Sequence, residues 1–191
     1  MPTANPSNIV WVVEQVRKIN PKRILDVGVG FGKWGYLCRD YLEATRMRMT
    51  PKEWKVVIDG VEPCERYINS LQELIYNKIY NKTIEEYLPE AFGYDLIIAN
   101  DVIEHMDKKV AWCVLNTLIK QNTWVIVTVP LDDQLVENDD IVSDYPYERH
   151  RSIWLLEDFK NHPYLKKQKK VSSKHPSGKM ILVFHNLKGT S

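Results

Sequence analysis

The sequence predicts an α/β protein built on a doubly wound, mostly parallel sheet that closes with a C-terminal antiparallel hairpin. Three observations carry this. Five short apolar runs alternate with amphipathic, helix-spaced stretches between Arg23 and Val129, the order that stacks parallel strands between helices. The first run passes directly into Gly28-Val29-Gly30-Phe31-Gly32, a turn from which Cβ atoms are absent at alternate positions. Two last β-type segments flank Pro176-Ser177-Gly178, which reads as a hairpin.

Taken in order, Ile9, Val12, Val13, Val16 and Ile19 recur at helical spacing behind Ser7, a candidate cap, and Pro21 ends that helix. Arg23 to Val27 is the first strand, and Lys33 to about Ala44 is the helix after the glycine turn. A polar insert from Arg46 to Trp54 precedes the strand Lys55 to Val61. Glu65 to Asn77 is read as one helix with Tyr67, Ile68, Leu71, Leu74 and Ile75 on its apolar face. Ile79-Tyr80 makes a short strand, and a helical turn follows at Ile84 to Leu88. Asp95 to Ala99 is an apolar strand ending in Asn100-Asp101. The helix Lys108 to Lys120 turns Val110, Ala111, Val114, Leu115 and Leu118 inward. Trp124 to Val129 is a buried strand stopped by Pro130, and a short helix through Leu155 and Phe159 follows a polar loop ending at Arg151. The closing strands are Leu165 to Val171 and Met180 to His185.

With 191 residues, 44% of them hydrophobic, the chain suits one well-packed domain spanning 1–191. A net charge of +1 points to no general polyanion binder. Cys38, Cys64 and Cys113 lack metal-ligand spacing and read as free buried thiols. No apolar run approaches the roughly 20 residues of a membrane span, and the start Met1-Pro2-Thr3-Ala4-Asn5 has no signal pattern. A cytoplasmic protein is expected. Charge is segregated: Asp132, Asp133, Glu137, Asp139, Asp140 and Asp144 crowd one loop, and no acidic residue follows Asp158, whereas Lys160, Lys166, Lys167, Lys169, Lys170, Lys174, Lys179 and Lys188 do. Edge strands carry lysines against aggregation, and a basic stripe is also an electrostatic footprint for nucleic acid.

The glycine turn admits two readings. Gly30-Phe31-Gly32-Lys33-Trp34-Gly35 satisfies the G-x-G-x-x-G dinucleotide pattern, with Glu62 as a ribose ligand. Asp26-Val27-Gly28-Val29-Gly30-Phe31-Gly32 is instead an acid followed by three alternating glycines. A carboxylate there suits a ligand carrying an ammonium group.

That second pattern resembles motif I of the class I S-adenosylmethionine (SAM)-dependent methyltransferases, and the likeness runs from Asn8 to His185. Tyr94-Asp95-Leu96-Ile97-Ile98-Ala99-Asn100-Asp101-Val102-Ile103-Glu104-His105 resembles the fourth motif, in the form common among small-molecule and lipid methylators. Trp124 to Pro130 resembles the strand-five segment, and Tyr145 to Trp154 resembles a Y-x-x-H-x-x-x-W element of bacterial members near sugar or surface-glycan pathways. The resemblance implies a seven-stranded Rossmann-like sheet with SAM as cofactor. It also implies that Asp26, Gly28, Gly30 and Gly32 line the methionine side and that Glu62 accepts from the ribose hydroxyls. Asn100 and Asp101 would border the methionine or acceptor. The family's adenine-binding acid after strand three is replaced by Asn81-Lys82-Thr83, so Asn81 or a backbone carbonyl would substitute.

Methyl transfer to a hydroxyl needs alignment and a base. His150 and His105 are the candidate catalytic residues; the plainer alternatives are that His105 shapes the pocket and His150 pins the 131–151 loop over the site. His162, His175 and His185 read as surface or packing residues, and Trp34 and Tyr36 either wall the site or pack. Magnesium on Asp132 or Asp133 lacks a partner ligand at defined spacing, so no metal is expected. The strand-four end is not the Asn/Asp-Pro-Pro-aromatic signature of base-amine methylation, and Pro63-Cys64 is misplaced for pyrimidine C5 chemistry. A small-molecule, sugar or lipid oxygen is therefore the expected acceptor. An RNA methyltransferase using the lysine-rich edge and a non-catalytic SAM-binding subunit are the alternatives, ahead of an NAD-dependent oxidoreductase.

Overall fold

A computed structural model describes residues 6–131, 146–172 and 178–187. The acidic loop from Asp132 to Asp144, together with Lys174, His175, Pro176, Ser177 and Lys188, lies outside the described residues. Seven strands form one sheet: β1 (Arg23–Val27), β2 (Val57–Val61), β3 (Lys78–Tyr80), β4 (Leu96–Asn100), β5 (Trp124–Pro130), β6 (Leu165–Val171) and β7 (Lys179–His185), in the order β3-β2-β1-β4-β5-β7-β6. β1 to β5 pair in parallel, and β7 is inserted antiparallel between β5 and the edge strand β6.

Among the described residues six α-helices flank the sheet: α1 (Ile9–Ile19), α2 (Lys33–Leu42), α3 (Ser70–Ile75), α4 (Ile84–Tyr87), α5 (Lys108–Gln121) and α6 (Leu156–Phe159). Side chains alternate across a strand, so each central strand feeds two cores. Ile24, Ile58, Leu96, Ile98 and Ile126 meet Val12, Val16, Trp34, Cys38 and Leu42 of α1 and α2. On the other face Leu25, Val27, Ile97, Val125 and Val127 meet Tyr87, Val114, Leu115, Leu118, Trp154 and Phe159. β6 is the reverse case, with Lys166, Lys167, Lys169 and Lys170 all exposed, as its position at the edge requires.

Several expectations need correction. The residue at the N-cap of α1 is Asn8 and not Ser7, which lies in a 3-10 turn (Pro6–Asn8). The single helix expected over Glu65 to Asn77 is a 3-10 turn (Glu65–Tyr67) followed by α3. Asn69 and Gln72 form a capping box that starts a new helix where the periodicity had run straight through. Its expected apolar face is also misplaced, since Leu71 and Leu74 are exposed while Gln72 is buried. Val110 is likewise exposed, and Ile119 takes its place in the core. The strand β5 does terminate at Pro130, but Pro130 belongs to it as its last residue, in register with Lys179. Cys38 and Cys64 are buried and free, whereas Cys113 is exposed.

The insert after α2 is anchored by a buried Arg39–Glu43 pair. Arg39 donates to the carbonyls of Ile75 (2.9 Å) and Val56 (2.6 Å) and to Asn77 Oδ1 (2.8 Å). Glu43 accepts from the amides of Lys55 (2.8 Å) and Val56 (2.6 Å) and pairs with Arg48. Removing one partner leaves buried groups unsatisfied. Arg39→Met is therefore expected to cost about 3 kcal/mol of stability in urea unfolding; a loss below about 1 kcal/mol would contradict this role.

Candidate functional site

The strand order reverses between β1 and β4, and in open α/β sheets ligands bind at the carboxyl ends of strands at such a switch point. Asp26 to Gly32 leave β1 there, and Asn100 and Asp101 leave β4 beside them. Gly28, Gly30 and Gly32 all have positive φ (75°, 50° and 83°). A Cβ on Gly28 would stand 2.8 Å from Val102 Cγ2.

The turn is held from both sides. Glu62, one residue past β2, accepts from Gly30 N at 2.8 Å through Oε2 and from Cys64 N at 2.9 Å through Oε1. A carboxylate has about four acceptor positions, so both oxygens retain capacity for hydroxyl donors. Gln72 Nε2 donates to the carbonyls of Gly30 (2.9 Å) and Tyr67 (2.6 Å).

Asp26 lies beneath the start of α2, 1% exposed. Tyr76 donates its hydroxyl proton to Asp26 Oδ2 at 2.6 Å and accepts from Gly35 N at 3.1 Å. Burial, opposed by the Tyr76 hydrogen bond and reinforced by Glu62, pushes the Asp26 carboxyl up to about 8. Its Oδ1 has no hydrogen-bond partner, and neither side-chain amide atom of the buried Asn100 has one. Buried polar groups usually have a partner, and these two at the ends of β1 and β4 have hydrogen-bonding capacity to spare. A carboxylate coupled to the α2 N-terminus opposes a pyrophosphate there and favours a cationic ligand.

Asp101 adopts a left-handed φ of 57°. It accepts from the Thr128 hydroxyl at 2.9 Å and pairs with Lys179, and so ties together the ends of β4, β5 and β7. Asn81 donates to the carbonyls of Glu62 (2.9 Å) and Pro63 (3.1 Å). Trp34 is buried in the core, and Tyr36 is exposed.

His105 closes a 3-10 turn (Ile103–His105) after β4. Its ring meets His150 edge to face, with centroids 4.7 Å apart. Burial first, then the neighbouring His150, push His105 below the usual histidine range. The segment carrying His150 is strapped to this turn: Arg151 N and Ser152 N donate to the Glu104 carbonyl at 2.7 and 3.1 Å. On its other side Tyr67 donates to Glu148 at 2.8 Å. Glu104, His105 and His150 each offer a ligand atom within 4.8 Å of the others. His162 stacks on Trp112 and His185 on Trp124, both as packing residues.

The structure therefore gathers Asp26, the three glycines, Glu62 and Asn100 around one turn and joins His105 to His150. Sequence reasoning quoted Glu104 only as part of the fourth motif and missed Tyr76, Gln72, Thr128 and Lys179. Gln72 alone left a signal, as the third residue of the Asn69 capping box.

The family described as "Methyltransferase domain" matches residues 12–170. No curated protein matches the chain in sequence. Among solved structures, the chain is similar to the methyltransferase domain of a bacterial Hen1 (TM-score 0.63, 17% identity, covering 95% of this chain and 98% of that one). It is also similar to magnesium protoporphyrin IX methyltransferase from Synechocystis PCC 6803 with bound S-adenosylhomocysteine (TM-score 0.63, 13% identity, 94% and 82% covered). A third is the small RNA methyltransferase HEN1 (TM-score 0.63, 17% identity), of which 25% is covered by 95% of this chain.

Proposed function

Because the chain belongs to the methyltransferase-domain family, which uses S-adenosylmethionine, we propose that it transfers a methyl group to an oxygen of a small-molecule, sugar or lipid acceptor. The observation that carries the reading is the pair of buried, unpartnered groups, Asp26 Oδ1 and the Asn100 amide, at the ends of β1 and β4. They fit the polar methionine end of this cofactor.

When bound, SAM supplies an electrophilic methyl group on a sulfonium. Asp26 sets a carboxylate toward the cofactor's ammonium, and Asn100 completes its hydrogen bonding. Glu62 takes the ribose hydroxyls while holding Gly30 in place. Asn81 spends its amide on backbone carbonyls, which leaves its Oδ1 as an acceptor for the adenine amine. Handling of the acceptor proton falls to the His105–His150 end of the site.

Glu62→Gln keeps the shape but turns one acceptor oxygen into a donor facing an N–H. SAM affinity is expected to fall about 10- to 100-fold by calorimetry, the cost of one charged hydrogen bond; an unchanged affinity would remove Glu62 from the cofactor site. The function itself is tested by SAM turnover to S-adenosylhomocysteine on panels of hydroxylated small molecules, sugars and lipids. SAM binding without turnover on any acceptor would favour a non-catalytic subunit.

A second reading, RNA methylation, is favoured by the four exposed lysines of β6 and by the likeness to a small RNA methyltransferase. It requires RNA affinity that falls steeply with salt. Turnover on RNA with none on the other panels would replace the first reading.

A further inference from the structure

One carboxylate and two imidazoles, from Glu104, His105 and His150, bring a ligand atom each within 4.8 Å of one another, and we propose that they bind a divalent transition-metal ion. What the ion does rests on the methyltransferase reading above; that it binds does not.

The donor set selects the metal. Two imidazoles and a carboxylate suit manganese, iron, cobalt or zinc, whereas magnesium and calcium take oxygen ligands. The ring of His105 is oriented for ligation by its second contact. Its Nδ1 lies 3.1 Å from the Arg149 carbonyl, and a carbonyl only accepts. Nδ1 therefore carries the ring proton, and Nε2 keeps the lone pair. Carbonyl-held imidazoles of this kind are the usual supporting arrangement at metal centres.

The third ligand comes from a distant part of the chain, yet it is fixed on both sides. Arg149, just before His150, gives its carbonyl to His105. Arg151, just after it, gives its amide to the Glu104 carbonyl. Each neighbour of His150 thus bonds to a different one of the other two ligand residues, so the backbone sets all three before any ion arrives. Glu104 is 1% exposed, so it is not a solvated surface acid.

Three protein ligands leave coordination positions open. The turn lies just past Asn100 and Asp101, at the ligand edge of the sheet. An acceptor hydroxyl bound to the ion becomes acidic and loses its proton to water. Its oxygen then forms the C–O bond as the methyl C–S bond breaks, and the electron pair stays on sulfur as S-adenosylhomocysteine. His105 and His150 then act as ligands and not as free bases.

The test is calorimetric titration of the full chain with MnCl2 and CoCl2 in the absence of SAM, with visible absorption for cobalt. One ion per chain is expected, with d–d bands for cobalt, and MgCl2 should bind at least tenfold more weakly than MnCl2. His150→Gln and Glu104→Gln should each weaken manganese and cobalt binding tenfold or more. Equal cobalt binding by the parent protein and His150→Gln, or no stoichiometric binding by the parent, would overturn the proposal. His150 is only partly buried, so that variant keeps the test valid if the buried Glu104→Gln misfolds. SAM titration without metal reads the cofactor site separately: metal bound without SAM affinity would sink the methyltransferase reading alone.

Discussion

Asp26→Asn is expected to lower SAM affinity 100-fold or more at pH 8 and to abolish the pH dependence of binding below it. The carboxyl of Asp26 is raised to about 8 by burial, so in the free protein it is mostly protonated at neutral pH. A cofactor ammonium stabilises the ionised form. Binding therefore releases a proton, and affinity should rise with pH up to about 8, approaching tenfold per unit well below it. Above that the cofactor's own ammonium, a group of pKa roughly 8, begins to deprotonate and the curve turns over. The free protein should show the opposite trend in stability. The native state holds a proton that the unfolded chain releases near pH 3.8, so stability from this group is full below that and lost as pH rises toward 8. Calorimetry across pH 6 to 9 on both proteins checks the first effect. A flat profile for the parent, or the same slope in Asp26→Asn, would show that Asp26 does not meet the ammonium.

Gly35→Ala should destabilise the protein strongly, although the position is helical and alanine is the better helix former by about 1 kcal/mol. A Cβ there would stand 2.3 Å from Tyr76 Cζ and 2.5 Å from its hydroxyl. Tyr76 cannot retreat cheaply, because its hydroxyl is bonded to Asp26 and its ring also passes near Gly60 and Gly32. Overpacking of this kind costs about 1–3 kcal/mol or more, and at this chain length each kcal/mol lowers Tm by about 2–4 °C. The expected drop is about 5–10 °C by calorimetry. A Tm equal to or above that of the parent would mean that Tyr76 is not clamped between Asp26 and α2.

Strand order, glycine turn and closing hairpin were legible because each follows from local periodicity or from a residue type with one backbone use. Asp26, Glu62 and Asn100 were legible as positions because strand ends are visible as the last apolar residue. Their partners were not. Tyr76 reads as one more apolar residue at the end of a helix, and only the sheet folds it back under α2 to meet Asp26. The α3 face was misread for a related reason: Leu71 and Leu74 keep helical spacing with Ile75, yet the break at Ile68 and Asn69 rotates the short helix so that Gln72 points inward. Glu104, His105 and His150 could not be joined by spacing, since the backbone bonds of Arg149 and Arg151 that unite them span more than forty residues.

The direction of β7 has a further consequence. Every parallel strand reaches the ligand edge with the end at which the chain leaves it. β7 alone delivers the end at which the chain arrives, and its first residue, Lys179, is paired there with Asp101. The rim is thus assembled from departing and arriving chain, and the arriving part belongs to a hairpin at the margin of the sheet. Change in that hairpin reaches the rim beside β4 without passing through the glycine turn or its supports.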